Sequence, residues 1–407
     1  MSSHEATRED PIQRSSSASE LSDILARATE RGGLPAAEAL WLAQTADLTS
    51  LLRTAAALRD RSKGRTVSYS KKVFIPLTHL CRDYCGYCTF RADPNAARPL
   101  YMSPEEVLEV AEAGRRAGCK EALFSLGDQP ESIFPEARDF LRRQGFERTL
   151  QYLRAMSVLV LEETGLLPHA NPGLMGPEDL RQMKESNVSM GIMLESTSYR
   201  LLRSGGAHWK APDKVPSLRL RTLEEAGQQK IAFTTGILIG IGETWAELVD
   251  SLYAIDALHR KYGHIQEIIV QPFRPKADTR MSTTPEAPLE DLKRTLALAR
   301  LIFGGEMNIQ SPPNLLSQEY PELLETGMND WGGISPVTKD FINPEAAWPQ
   351  IPSLARRTAD AGFVLRERLA IYPEFAARPG FVDARVEPYL RNFLGEEGYA
   401  REGQIAC

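Results

Sequence analysis

The spacing of hydrophobic positions changes along the chain, and the changes mark out its elements. In "SELSDILARATERG" (19–32) and "PAAEALWLAQTADLTSLLRTAAALRDRSKG" (35–64) apolar side chains recur at helical spacing, with glycine as punctuation. This predicts an N-terminal helical extension over 19–66. From "KVFIPLT" (72–78) short apolar runs alternate with helical segments. The runs "EALFSLG" (121–127), "LLPHAN" (166–171), "VSMGIMLES" (188–196), "IAFTTGILIG" (231–240), "IQEIIVQPF" (265–273) and "MNIQSPP" (307–313) read as strands, with a helix between each pair. Ser103, Pro104 and Glu106 form the start signal of one such helix, and Thr244 with Glu247 that of another.

Repeated strand–helix units with apolar strands mean a parallel sheet covered by helices. About seven units in succession favour a (β/α) TIM-type barrel, complete or partial, over an open doubly wound sheet. The barrel is expected over 67–314. Residues 315–407, less regular and rich in proline and aromatics, are expected to close one end of it, and the polar, Ser-rich residues 1–18 to form a disordered tail.

Composition narrows the function classes. The 407 residues are 42% hydrophobic and 25% charged, with a net charge of −6. No basic stripe suggests a nucleic-acid partner. No run approaches a membrane span and the N-terminus lacks the apolar core of a signal peptide, so a cytoplasmic protein with a small-molecule substrate is expected.

Of five cysteines, three stand together in "CRDYCGYC" (81–88). Clustered thiols in a reducing compartment bind metal more often than they pair. They follow the first strand directly, where a barrel places its chemistry, and Gly86 lets the loop fold tightly. Thiolates suit zinc or iron–sulfur clusters. A structural zinc site wants four ligands. His79 is too close in sequence to Cys81 to join it well, Cys119 stands alone as an ordinary buried residue, and Cys407 is the last residue. A four-iron cluster held by three thiolates instead leaves one iron open to an exogenous ligand.

Further candidates lie at later strand ends. Gly127 and Asp128 sit in "SLGDQPE", and Glu195 in "MLES", where a buried carboxylate needs a partner. Gly240 and Gly242 in "GILIGIGET" permit close backbone approach, but are no dinucleotide fingerprint because the third glycine is missing. Gln271 and Arg274 lie in "VQPFRP". "GMNDWGGISPVTKDFINPEAAWP" (327–349) has no regular period and reads as an ordered binding loop.

The spacing C-x3-C-x2-C with an aromatic, Tyr87, before the last cysteine is similar to the signature of the radical S-adenosylmethionine (SAM) superfamily. The resemblance implies one [4Fe-4S] cluster on Cys81, Cys85 and Cys88, with SAM chelating the open iron. It places Tyr87 near the adenine, Gly127 and Asp128 at the turn that receives the SAM ammonium, Glu195 at the ribose, and Gly240 and Gly242 along the adenine edge. Leu126-Gly127-Asp128 only approximates the family's Gly-Gly-Glu turn.

Taken in order, "SKKVFIPLTHLCRDYCGYCTF", "SLGDQPE", "GIMLES", "GILIGIGET" and "NDWGGISPVTKDFINPEAAWP" resemble the CofG family, one of the two subunits of FO synthases, which make the deazaflavin of coenzyme F(420). Tyr84 departs from a position often basic in that family. The resemblance implies a carbon–nitrogen lyase of ammonia-lyase type. It would act on 5-amino-5-(4-hydroxybenzyl)-6-(D-ribitylimino)-5,6-dihydrouracil supplied by the CofH subunit, with a low-potential donor such as ferredoxin or flavodoxin. One cysteine motif suggests the separate subunit rather than the two-subunit fusion. Gln271, Asn314, Asn329, Asp330 and Trp331 are the substrate-binding candidates. Glu131, Asp128 and His169 are candidates for a general base that the sequence does not single out. Two alternatives remain at this level: a sister radical SAM enzyme of CofH or aminofutalosine type, and a zinc-binding barrel without redox chemistry.

Overall fold

The computed structural model describes residues 11–30, 34–95, 99–316 and 318–401, with backbone only for 11–18. Three helices lead: α1 (Pro11–Ala28), α2 (Ala36–Thr45) and α3 (Leu48–Lys63). Helix α1 reaches back into the stretch expected to be tail, starting at a proline whose fixed φ suits a first turn; residues 1–10 of that tail lie outside the described residues. Cys407 does too.

Strand β1 (Thr66–Pro76) opens the barrel. There follow α4 (Pro104–Arg116), β2 (Glu121–Ser125), α5 (Pro135–Arg143), α6 (Thr149–Thr164), β3 (Leu167–Asn171), α7 (Pro177–Lys184), β4 (Ser189–Gly191), α8 (Pro216–Gln228), β5 (Phe233–Ile239), α9 (Trp245–Tyr262), β6 (Ile265–Pro272), α10 (Leu289–Phe303), β7 (Asn308–Gln310) and β8 (Asp330–Ile334). All neighbours run parallel, and β1 pairs with both β2 and β8, so the eight strands close completely. The capping boxes expected at Ser103 and Thr244 are present.

The eighth strand is the main departure from the sequence reading. Asp330–Ile334, expected within a binding loop beyond the barrel, completes the barrel wall. Two adjacent glycines hid it, since glycine weakens a strand signal. Their purpose is steric: a Cβ on Gly332 would lie 2.3 Å from the Gln310 side chain, and one on Gly333 would lie 2.4 Å from that of Lys72. Both side chains need that space to lie inside the barrel.

After α11 (Ile351–Asp360), strand β9 (Val364–Arg368) pairs with Thr66–Ser70 of β1. Because β8 occupies the other edge of β1 at those rows, β9 lies on the β2 edge, below β2, at the N-terminal end of the barrel. It delivers Arg368 into the barrel floor. There the guanidinium donates to two buried carboxylates, Asp330 (2.7 Å) and Glu267 (3.0 Å).

Strand alternation sorts the two faces. On β1, Val73 and Ile75 are fully buried outward beneath the helices, while Ser70, Lys72 and Phe74 point into the lumen. Removing each such outward residue from water stabilises by about 1.5–3 kcal/mol. Two of these three inward residues, Ser70 and Lys72, are polar, which an apolar barrel core has no use for.

Candidate active site

The loop after β1 carries the three cysteines and is held from both sides. Gly86 N–H donates to the Ala207 carbonyl (2.7 Å), the Tyr84 N–H to that of Lys210 (2.9 Å), and Met281 N–H to that of Gly86 (3.1 Å). A Cβ on Gly86 would press on Met281 and Ala207 at 3.1–3.3 Å, so a larger residue there must push them back by a few tenths of an ångström. Tyr84 itself is 39% exposed, with Arg91 stacked on its ring 3.5 Å from the centroid. His79 bonds the Phe90 carbonyl through Nδ1 (2.8 Å).

The donor set fits a polynuclear cluster better than a single ion. Tetrahedral zinc with Zn–S bonds of about 2.3 Å needs its sulfurs ~3.8 Å apart. Among the described residues, the three-ligand group whose donor atoms all lie within 4.8 Å of one another is Asp83, Asp128 and Asp213, not the cysteines, whose sulfurs are spread wider. Burial pushes the Cys81 thiol up to about 12 and raises Cys85 too, so the thiolates form only with a strongly positive group between them. Backbone N–H groups of Asp83 (3.4 Å) and Asp128 (3.2 Å) already point at the Cys81 sulfur.

Beside the cysteines lies a cavity of about 230 Å³, also lined by Tyr87, Gly127, Asp128, Glu195, Lys214 and Arg219. Tyr87 is held by His208 at 3.3 Å. Gly127 lies so near the cysteine loop that a Cβ there would fall 1.9 Å from the Leu80 carbonyl oxygen. Asp128 accepts from Leu174 N–H through one oxygen and leaves the other buried without a partner. Burial, with the neighbouring Asp213, holds its carboxyl well above the ordinary range. Glu195 sits in the left-handed region at φ 65°, where a non-glycine residue is uncommon. That bend turns its carboxylate into the cavity, where Lys214 pairs with it at 2.5 Å.

The sequence reading missed the cations Lys214 and Arg219, which lie outside the strand-end motifs. Arg219 holds the Met193 carbonyl (2.7 Å) and leaves its Nε buried without a partner. Together with the unpartnered Asp128 oxygen, this leaves a cationic donor and a carboxyl group on the wall of one cavity. An amino-acid headgroup, ammonium and carboxylate together, complements such a pair. The described residues therefore fit a cluster with a zwitterionic ligand beside it.

Gly240 and Gly242 do not line this cavity. Both have positive φ because the β5–α9 turn folds back on Glu243, whose carboxylate accepts from Gly240 N–H (2.7 Å) and Ile241 N–H (2.9 Å). Arg274 lines the cavity and holds the Leu315 carbonyl (2.8 Å).

A second cavity, about 180 Å³, continues down the lumen and shares Ser125, Asn171, Met193, Gln271 and Asn343 with the first. Of the substrate-binding candidates, Gln271 faces both. Trp331 borders the lower one, but its indole donates to Thr358 of α11 (3.1 Å) and packs edge-on against Tyr320. Asn314, Asn329 and Asp330 line neither cavity. Asn314 donates to Asp340 (3.0 Å), Asn329 bonds Arg300 (2.8 Å) and Asn308 (3.0 Å), and Asp330 is fully buried against Ser68 and Arg368. Polar residues in an apparent loop suggested ligand contact; closing the barrel puts them to structural use. Glu131 likewise caps the start of α6, accepting from Thr149 N–H (3.1 Å) and Oγ1 (2.7 Å). His169 does face the lumen, bonded to Ser189 (2.7 Å), and burial holds its imidazole down at about 4. Lys72 and Glu121, which also line the lumen, were not singled out.

Comparison with known proteins agrees with this geometry. Residues 75–253 match the Radical SAM superfamily model. The chain is 49% identical over 335 residues to the 7,8-didemethyl-8-hydroxy-5-deazariboflavin synthase of Methanopyrus kandleri, covering 82% of this chain and all of that one. It is 48% identical over 395 residues to the FO synthase of Streptomyces coelicolor, covering 94% of this chain but 46% of the relative. The chain thus spans about half the length of several curated relatives it matches. The FeFe-hydrogenase maturase HydG from Carboxydothermus hydrogenoformans shares the fold at 20% identity, with a TM-score of 0.70 over 93% of this chain and 86% of that one. Methylornithine synthase (PylB) does so at 19% identity and a TM-score of 0.66, over 85% and 97%. Cysteine loop, barrel and identity together establish that this chain belongs to the radical SAM superfamily, with its [4Fe-4S] cluster and SAM, and within it to the FO synthase family.

Proposed function

We infer that this chain catalyses the deazaflavin-forming half of the FO synthase reaction, the CofG role. The observation that carries the reading is the alignment, 49% identical and spanning its whole length, with a relative named for the finished deazaflavin. The cavity beside the cysteines opens directly onto a polar lumen, which suits a substrate bearing a uracil, a phenol and a ribityl chain.

Cys81, Cys85 and Cys88 would hold the cluster, and Asp128, Glu195 and Arg219 would bind SAM. Bound there, cluster and SAM would supply reductively initiated radical chemistry for hydrogen-atom removal from the substrate. The protein's own part is placement and exclusion of water. Lys214 fixes the Glu195 carboxylate, while Phe90, Leu238 and Phe273 wall the cavity.

Overall, 5-amino-5-(4-hydroxybenzyl)-6-(D-ribitylimino)-5,6-dihydrouracil and SAM become the deazaflavin, methionine, 5′-deoxyadenosine and ammonium. A nitrogen–carbon bond closes the central ring, and the C5 amino group leaves as ammonia. Two hydrogens are lost in addition. One ends on 5′-deoxyadenosine; the other leaves as a proton taken by the ammonia, its electron balancing the reductive cleavage of SAM. The substrate would come from a CofH partner, and the priming electron from a ferredoxin or flavodoxin.

The test is anaerobic incubation of reconstituted protein with that adduct, SAM and dithionite. Deazaflavin fluorescence with 5′-deoxyadenosine is expected. No fluorescence, together with SAM cleavage when tyrosine is supplied instead, would refute the CofG role and favour its sister enzyme.

A further inference from the structure

The lower cavity holds two charged groups that the fold leaves unsatisfied. Lys72 on β1 is 8% exposed, yet among the described residues no acceptor takes a hydrogen bond from its ammonium and no carboxylate pairs with it. Two aromatic rings flank it, with Trp348 at 5.0 Å and Phe74 at 5.7 Å from ring centroid to Nζ. Gly333 keeps the space along its stem open. Glu121, 6% exposed, is its direct register partner on β2, and its Oε2 is buried with no partner. The two do not form an ion pair, although they share one row of the lumen. A buried ammonium and a buried carboxylate left apart cost far more than a joined pair unless a ligand completes both.

We propose that Lys72 and Glu121 read the imide edge of the substrate's pyrimidinedione ring, Lys72 donating to a ring carbonyl and Glu121 accepting from the ring N3–H. An imide edge presents acceptor, donor and acceptor side by side, which matches one donor and one acceptor in a single row. The pair carries no net charge, as a neutral ring requires. The remaining titratable groups facing this row fit as well. Burial keeps His169 neutral, Arg368 is taken up by Glu267 and Asp330, and Asp340, which also lines the cavity, accepts from Asn314 and Asn343. Orientation follows from the ring itself. N3 lies opposite C6, so holding the imide edge at the floor turns C5 and C6, with the benzyl, amino and ribitylimino groups, upward to the cavity beside the cysteines. These are positioning residues, acting through the substrate's pose.

The inference rests on the deazaflavin reading, and the test separates the two. Binding of 7,8-didemethyl-8-hydroxy-5-deazariboflavin and of its N3-methyl derivative to reconstituted protein is followed by fluorescence anisotropy, in wild type, Glu121→Leu and Lys72→Met. Wild type should bind the parent compound at least tenfold tighter than the N3-methyl derivative, the factor expected for a hydrogen bond to a charged group. Glu121→Leu should lose that discrimination. Lys72→Met should weaken both ligands alike while keeping it. Cluster absorbance and circular dichroism confirm that each variant is folded, and Gly333→Ala, which crowds Lys72 without removing it, provides a second variant. Equal binding of the two ligands by wild type, or undiminished discrimination in Glu121→Leu, overturns the proposal alone. No binding of the parent by wild type overturns the deazaflavin reading and the proposal with it.

Discussion

Asp330→Asn separates the two meanings that the segment "NDWGG" can carry, a ligand contact or a keystone of the barrel floor. Asp330 is fully buried and accepts from Arg368 Nε (2.7 Å) and Nη2 (3.0 Å), from Ser68 Oγ and from Gly332 N–H (2.5 Å). Asparagine keeps the shape but removes the charge and turns an N–H₂ toward donors, leaving Glu267 as the one anion beside the Arg368 guanidinium. Breaking one side of a buried pair costs about 3–5 kcal/mol, against a total stability of roughly 5–15 kcal/mol. For a chain of 407 residues, an unfolding entropy of about 2.1 cal/mol/K per residue translates that into a fall in melting temperature of about 4–6 °C. The assay is far-UV circular dichroism at a fixed scan rate, beside deazaflavin binding on the same preparation at 20 °C below the variant's midpoint. An unchanged midpoint with lost binding would show that Asp330 meets the ligand and that the floor does not depend on it.

Three other outcomes are expected. Gly127→Ala places a Cβ 1.9 Å from the Leu80 carbonyl oxygen, so the cysteine loop must shift by more than 1 Å. Iron per chain after anaerobic reconstitution should fall several-fold, and full iron loading would show that the turn is not pressed against the loop. Cys85→Ala should abolish both the brown cluster absorbance and SAM cleavage; a colourless wild type carrying one zinc would instead revive the single-ion reading. His169 is held at about 4 by burial against an ordinary value of 6.5, so between those pH values the unfolded chain binds a proton that the folded one refuses. Stability therefore falls as pH drops from 6.5 to 4, by up to ~3 kcal/mol at about 1.4 kcal/mol per pH unit. His169→Gln should flatten that part of a plot of urea midpoint against pH. His264, buried and held at about 3, gives the same slope in both proteins, so only the difference counts.

The sequence by itself determined the barrel class and the cysteine site, because both are local. Strand and helix periods repeat within a dozen residues, and three thiols within eight residues after a strand need no tertiary information to be brought together. Tyr87, Gly127, Asp128, Glu195 and Gln271 were legible for a related reason: a parallel barrel sends every strand end to one face, so position in the unit gives position in the site. The tertiary structure alone decided what lies within the lumen. Whether Lys72 or Glu121 points inward depends on strand register, and whether it finds a partner depends on seven other strands. Closure likewise decided the fate of "NDWGG". Glycines that read as a loop are a strand thinned to admit Lys72 and Gln310, and Asn329, Asp330 and Trp331, which read as ligand contacts, meet Arg300, Arg368 and Thr358. Those partners lie 27 to 38 residues away along the chain and touch only once the barrel is shut, so no local pattern records them.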